Sequence, residues 1–275
     1  MNARAAHRTP MTLDPNEIHG KFLQPLQAAM REASALALSK FRNGVRVWNK
    51  DNASPVTEAD LAVDTFLRER LTAIDPAIGW LSEETADNRE RLLKERVWIV
   101  DPIDGTRSFI AGREDWGICA ALVERGRPIA ACVEVPATGE SFAAVRGGGA
   151  TRNGQTISAS PKADFASATI ARPAKLNYAV SSAGNQVETE RIHAIAVRFS
   201  RVAGGDIDAA LAAGNANDWD LAAADLLVHE AGGRMTDTDG RVPVYNLATH
   251  IHGALIAAGR ELHPRLLSAL GASLQ

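Results

Sequence analysis

The sequence predicts an α/β protein, and three observations carry that expectation. Two N-terminal segments repeat apolar residues at the helical period. Three apolar runs joined by short turns then read as an antiparallel meander. Beyond residue 150, strand-like and helix-like segments alternate, the pattern of layered α/β folds. With 275 residues, 45% of them hydrophobic and 23% charged, the chain can bury one large core or two modest ones. The expected parts are a loose polar tail over 1–16, an N-terminal α+β half over 17–150 and a C-terminal α/β half over 151–275.

Taken in order, Phe22, Leu26, Met30, Ala33 and Leu36 or Ala37 mark a first helix over 18–42. Pro25 inside it predicts a kink or a later start, and Asn43-Gly44 closes it. Val45–Trp48 reads as a short strand, and residues 50–55 as a loop. Leu61, Phe66, Leu67 and Leu71 mark a second helix. Thr57 is its expected N-cap with Asp60 three residues on, an arrangement as suited to capping as to catalysis. Ala77–Leu81 reads as a strand ending in Ser82-Glu83-Glu84, where extended geometry turns only one glutamate toward a given site. Glu84 is expected in a solvated acidic loop.

Val97–Val100 is the next expected strand, with the chain turning at Pro102. The meander follows as Trp116–Val123, Pro128–Val135 and Ser141–Val145. Gly147-Gly148-Gly149 and Asn153-Gly154 read as a loop, because the triple glycine lacks phosphate-loop spacing. In the second half, strands are expected at 168–171, 207–211, 234–236 and 252–258, and helices at 188–202, 221–231 and 264–270. Asp218 is the expected N-cap of the alanine-rich helix, with Asp220 in its first turn. His250 and His252 read as structural.

A net charge of -3 gives no basic footprint, which argues against a nucleic-acid polymer or an anionic membrane as partner. No run approaches the ~18 apolar residues of a membrane span. The first residues lack a signal-peptide core, so a cytoplasmic location is expected. Cys119 and Cys132 flank the Arg125-Gly126 turn symmetrically and are expected opposite each other on paired strands, as buried thiols.

The chemistry centres on Trp98-Ile99-Val100-Asp101-Pro102-Ile103-Asp104-Gly105-Thr106. A strand delivering Asp101 at its C-terminal end puts it where open α/β sheets bind ligands. Asp101, the Ile103 carbonyl and Asp104 form a hard oxygen set suited to Mg²⁺. Gly105-Thr106 opens a helix whose free N–H groups suit a phosphate. Asp220 at another helix start offers a third carboxylate.

Four motifs in order, Val56-Thr57-x-Ala59-Asp60, Ser82-Glu83-Glu84, Asp101–Thr106 and Trp219-Asp220 with Glu230-Ala231-Gly232-Gly233, resemble the inositol monophosphatase superfamily over nearly the whole chain after the tail. The resemblance implies a layered α/β/α/β/α sandwich, a Mg²⁺-dependent, lithium-sensitive phosphomonoesterase with two or three ions per site, and a homodimer. It implies that Glu83, Asp101, the Ile103 carbonyl, Asp104 and Asp220 bind metal. It also implies that Asp104, Gly105, Thr106 and Asp220 line the substrate site. Asp60, Glu83 and Thr106 are the implied catalytic residues, with Asp60 and Thr106 orienting the attacking water. Lys50 stands where the family often has a lysine. Asp104→Asn is expected to abolish hydrolysis while the fold persists.

The implied substrate is a small phosphorylated metabolite. Ala209–Gly214 lacks the glutamate that inositol monophosphatases place about seven residues before the second aspartate. Leu81–Glu84 and Gly105–Ile110 are more similar to bacterial 3'(2'),5'-bisphosphate nucleotidases, although Arg107-Ser108 replaces their usual Lys-Glu. Arg107-x-Phe109-Ile110 and Trp116-Gly117 are similar to the histidinol-phosphatase branch. The preferred substrate is therefore a bisphosphate nucleotide, then inositol 1-phosphate, then histidinol phosphate. The alternative of a different class is a non-catalytic metal- or phosphometabolite-binding module.

Overall fold

The computed structural model describes residues 13–50, 54–185, 187 and 191–270. Most of the expected tail falls outside these residues, but its last part is helical. Asp14 caps α1 (Pro15–Ile18) in a capping box with Glu17. A π-helical turn, His19–Leu23, joins α1 to α2 (Gln24–Lys40). The π turn is the local answer to Pro25. The widened turn precedes a proline held in the first turn of α2, where its missing N–H is tolerated.

A two-stranded ribbon, β1 (Val47–Asn49) and β2 (Pro55–Thr57), leads into α3 (Glu58–Thr72). The main sheet then forms from β3 (Gly79–Ser82), β4 (Arg96–Asp104), β5 (Gly117–Glu124), β6 (Arg127–Val135), β7 (Glu140–Val145), β8 (Gly149–Arg152) and β9 (Gln155–Thr156), in that spatial order. The β3–β4 pair is parallel and the remaining pairs are antiparallel. Between β4 and β5 lies the five-residue helix α4 (Thr106–Ile110). In the glycine-rich stretch expected as a loop, Gly147-Gly148 and Asn153-Gly154 are turns as expected, while Gly149 opens β8 and the second turn leads into β9.

The second half contributes β10 (Ile170–Ala171), α5 (Asn177–Ser182), α6 (Ile195–Ala203), β11 (Ala209–Ala212), β12 (Ala216–Asn217), α7 (Asp218–Glu230), β13 (Gly233–Asp237), β14 (Ile251–His252), β15 (Leu255–Gly259) and α8 (His263–Leu270). A four-stranded sheet has the order β10-β11-β15-β13, and β12 pairs with β14. Of the helix expected over 188–202, residues 188–190 lie outside the described residues, 191–194 are not helical and α6 starts at Ile195; the expected strand 252–258 is two strands, β14 and β15.

Three apolar clusters define five layers. Residues of α2 and α3 such as Leu26, Met30, Val63 and Leu67 pack on one face of the main sheet, against Trp98, Val100, Ala120 and Cys132. The opposite face, with Ile99, Cys119 and Val133, packs on α6 and α7, which also cover Ala210, Met235 and Ala257 of the small sheet. The far face of that sheet, Leu211 and Ile256, packs on α5 and α8. This is the α/β/α/β/α sandwich. The cysteines differ from expectation: Cys132 pairs with Ala120 and Cys119 with Val133, so the thiols lie on opposite faces of the sheet. Alternation of side chains along each strand forbids their contact.

The expected turn at Pro102 is a bulge instead. Asp101 pairs with Cys119 and Asp104 with Gly117, so β4 carries one more residue than β5 across this interval. The ladder to β3 ends at Ser82–Val100. Pro102 therefore stands on a free edge, where its missing N–H leaves no donor wanting.

Candidate active site

In a regular strand, residues three apart point to opposite faces. The bulge cancels that alternation. Ile103 packs with the α2–α3 cluster, while Asp101 and Asp104 both turn toward α6 and α7. Asp220, at the third position of α7, completes the group: carboxylate oxygens of Asp101, Asp104 and Asp220 all lie within 4.8 Å of one another. The N-cap of α7 is Asn217, one residue earlier than the expected Asp218. Asp220 Oδ2 accepts from Asn217 N at 2.6 Å, so it closes a capping box.

Asp218 is fully buried and is spent on scaffolding. Its oxygens accept from Asn246 N at 2.7 Å and pair with His252 Nε2 at 2.7 Å. His250 Nδ1 lies 3.1 Å from Asn217 Oδ1, and its ring stacks on Trp219 at 4.7 Å. Both histidines brace the start of α7, as expected of structural groups.

Asp104 has a second task. Its Oδ1 accepts from Ile195 N at 3.0 Å, and its Oδ2 from Ala196 N at 2.7 Å and Val197 N at 3.4 Å. It supplies the side-chain cap for α6, whose own preceding residue is Ala194.

Beside the cluster, Thr106 Oγ1 lies 3.1 Å from Asp60 Oδ1 and 3.1 Å from the Ile103 carbonyl. Asp60 Oδ2 meanwhile accepts from Thr57 N at 2.8 Å and Thr57 Oγ1 at 2.5 Å. Asp60 therefore closes the Thr57 capping box with one oxygen and faces Thr106 with the other. Gly105 caps α4 at φ 87°, and a Cβ there would sit 3.0 Å from Ala194 Cβ. The tight approach to the α6 entrance requires glycine.

Glu83 stands next to this group rather than within the three-carboxylate cluster. Its side chain meets Lys50 Nζ at 2.9 Å, and the same ammonium meets Glu84 at 2.6 Å. Glu84 corrects the expectation of a solvated loop: its side chain is 4% exposed. The neighbouring Asp51–Ala53 of the expected loop lie outside the described residues.

The electrostatics are those of carboxylates crowded in a dry place. Burial, then the Glu83, Asp104 and Asp220 charges, hold the Asp101 carboxyl well above its ordinary range. Burial and the Asp104 charge push Asp220 up to about 8. Asp104 rises to about 6 by burial, moderated by the three α6 amides. Asp60 also rises to about 6, and Glu84 to about 7, both chiefly by burial. A set of hard oxygen donors that resists ionisation alone is suited to a small divalent cation, whose charge reverses the cost.

The rim was not legible in the sequence. His193 N and Nδ1 meet Asp115 Oδ2 at 2.8 and 2.7 Å across 78 residues. Two concavities share His193. One, of about 470 Å³, is lined by Pro55, Arg107, Ile110 and Arg113; the other, of about 240 Å³, by Lys175, Ile195, Ala213 and Asn215 among others. Arg107 and Lys175 are exposed and make no ion pair among the described residues.

Residues 20–275 match the inositol monophosphatase family. A histidinol-phosphatase of Mycobacterium tuberculosis is 34% identical over 83% of this chain and 89% of its own length. A 3'(2'),5'-bisphosphate nucleotidase CysQ of Aggregatibacter actinomycetemcomitans is 32% identical over 75% of this chain and 80% of its own. The crystal structure of the extragenic suppressor protein suhB from Bartonella henselae superposes with a TM-score of 0.78 at 26% identity, covering 90% of this chain and 97% of that one. No helix among the described residues is long and apolar enough to cross a membrane. The chain belongs to the inositol monophosphatase family and is a phosphatase of that family.

Proposed function

We propose that this protein is a Mg²⁺-dependent phosphomonoesterase acting on a small phosphorylated metabolite, with a 3'(2'),5'-bisphosphate nucleotide as the favoured substrate. The observation that carries the metal reading is the convergence of Asp101, Asp104 and Asp220 within 4.8 Å at the start of α7. The Ile103 carbonyl, already beside Thr106, and Glu83 are the further ligands, which gives room for two or three ions. Bound there, Mg²⁺ would supply an activated water and neutralise charge on the phosphate and its leaving oxygen.

The chain's own groups do the rest. The first-turn amides of α4, Gly105 and Thr106, lack intrahelical partners and would bind phosphate oxygens. Ionised Asp60 takes the Thr106 hydroxyl proton in a hydrogen bond, which turns an Oγ1 lone pair toward the attacking water. Water then donates to Thr106, and its remaining lone pair aims at phosphorus. In-line displacement needs this orientation more than covalent chemistry. Lithium should inhibit by competing at one metal position, and undiminished activity at high lithium would count against that.

The substrate preference rests on the rim. Arg107 and Lys175 each line one of the two concavities, and cations there favour a leaving group that carries a second phosphate. Ala213 and Gly214 occupy the wall where an inositol-binding acid would be needed, so inositol 1-phosphate ranks lower. Histidinol phosphate is the second reading, supported by the Mycobacterium relative. Initial rates with Mg²⁺ on 3'-phosphoadenosine 5'-phosphate, inositol 1-phosphate and histidinol phosphate test the order; a preference for histidinol phosphate would overturn it. A homodimer and a cytoplasmic location belong to the same reading, supported by family likeness alone.

A further inference from the structure

Asp64 lies on α3 one turn beyond Asp60 and is 7% exposed. Both of its carboxylate oxygens are engaged by hydroxyls that bracket the glutamate pair. Oδ1 accepts from Ser82 Oγ, and Oδ2 from Thr85 Oγ1 at 2.7 Å. Each hydroxyl also accepts in return: Ser82 Oγ from Glu84 N at 3.3 Å, and Thr85 Oγ1 from Trp80 Nε1 at 3.3 Å. The Glu83 amide extends the ladder by donating to the Val100 carbonyl at 3.3 Å. Only a carboxylate offers two acceptors with no donor, which is what two converging hydroxyls require.

A four-residue turn at a strand end, carrying two acids and no apolar anchor of its own, would otherwise be free to swing toward solvent. Here it is tied to the helix that bears Asp60. We propose that Asp64 is a positioning residue for metal binding, holding the Ser82–Thr85 turn so that Glu83 faces the Asp101–Asp104–Asp220 cluster. The inference rests on the metal reading of that site. Groups that orient ligands from behind typically change metal affinity or activity about 10- to 100-fold when removed.

Calorimetric titration of Mg²⁺ into the metal-stripped full chain, with a melting curve for each variant, tests this. Asp64→Ala should bind Mg²⁺ about 10-fold or more weakly while the substrate KM at saturating Mg²⁺ stays near its starting value. Asp64→Asn, which keeps one acceptor, should fall between. Ser82→Ala and Thr85→Val remove the donors instead and should each weaken Mg²⁺ binding severalfold, so the idea is testable even if Asp64→Ala fails to fold. A lowered melting temperature with unchanged Mg²⁺ affinity in these variants would leave Asp64 as a fastener only and overturn the proposal. If the unmutated chain binds no Mg²⁺, the metal reading itself falls, and this inference falls with it.

Discussion

The Asp104 carboxylate accepts the Ala196 backbone N–H at 2.7 Å, although 92 residues separate them. A proposed metal ligand thus also terminates α6. Asp104→Asn should abolish Mg²⁺-dependent hydrolysis, and near-normal turnover would sink the assignment. The geometry adds a cost to the sequence expectation of an unaffected fold: the new amide nitrogen must face backbone N–H groups. A loss of about 1 kcal/mol in a urea melt, typical of a lost helix cap, should accompany the loss of activity.

Thr106 and Asp60 are expected to work as a pair. Thr106→Val and Asp60→Asn should each lower kcat about 10²- to 10⁴-fold, and the double variant should be little worse than either. Burial raises Asp60 to about 6, and it must be ionised to take the Thr106 proton. Activity should therefore fall as pH drops through about 6, and the residual activity of Asp60→Asn should lack that limb. Additive losses in the double variant would separate the two roles.

The crowded carboxylates set a pH dependence for stability without metal. Asp220, Asp104, Asp60 and Glu84 have folded values of about 8, 6, 6 and 7, above ordinary values of 3.8 for aspartate and 4.5 for glutamate. Between about pH 4 and about pH 8 the folded chain holds more protons than the unfolded one. These groups therefore stabilise the metal-free fold at acid pH, and that contribution is lost as pH rises through the folded values. Mg²⁺ competes with the same protons. Melting temperature without metal should fall between about pH 5.5 and about pH 8.5, and added Mg²⁺ should raise it most at the higher pH. A Mg²⁺ effect confined to low pH would contradict this.

Lys50 occupies both glutamates that flank the cluster, at 2.9 and 2.6 Å. Its ammonium engages Glu83 Oε1 and so competes with a cation for that carboxylate. Lys50→Met removes the competing charge and should tighten Mg²⁺ binding by roughly 3- to 10-fold at moderate salt. Weaker binding in this variant would mean that the lysine supports the metal-bound form instead.

The rim makes a separate prediction. Arg107→Ala and Lys175→Ala should raise KM for a bisphosphate nucleotide about 10-fold, with kcat little changed, because they remove uniform binding of a second phosphate. Hydrolysis of inositol 1-phosphate should be much less affected. Equal effects on both substrates would remove the argument for a bisphosphate.

The helices and the meander were legible because each follows from a local period: the Leu61–Leu71 spacing of α3 and the apolar runs of β5 and β6 need no distant partner to be recognised. The acid motif was legible as a string. Its geometry was not, because the bulge is a relation between β4 and β5 and no single strand contains it. The same holds for the start of α6. Residues 191–194 of the segment expected to be helical are not, and α6 begins at Ile195, where Asp104 supplies the missing cap from across the fold. Glu84 read as solvent-facing because its partner, Lys50, is 34 residues away. The glycines at 147–149 read as a loop, yet the Gly147 and Gly149 amides donate to Glu230 at 2.8 and 2.9 Å, which shapes that turn for strand pairing.

The single extra residue in β4 also sets which changes of length the chain can survive. Inserting one residue in β5 between Gly117 and Cys119 would let β4 and β5 pair without interruption, and the sheet would lose nothing in hydrogen bonding. Asp104 would then point toward α3, away from α6 and Asp220, and its former place would pass to an apolar side chain. Substitutions at Pro102 need only respect the free edge, whereas an insertion opposite it in β5 would leave a well-paired sheet with a dismantled site. Sheet integrity and catalytic competence are thus separable by one codon.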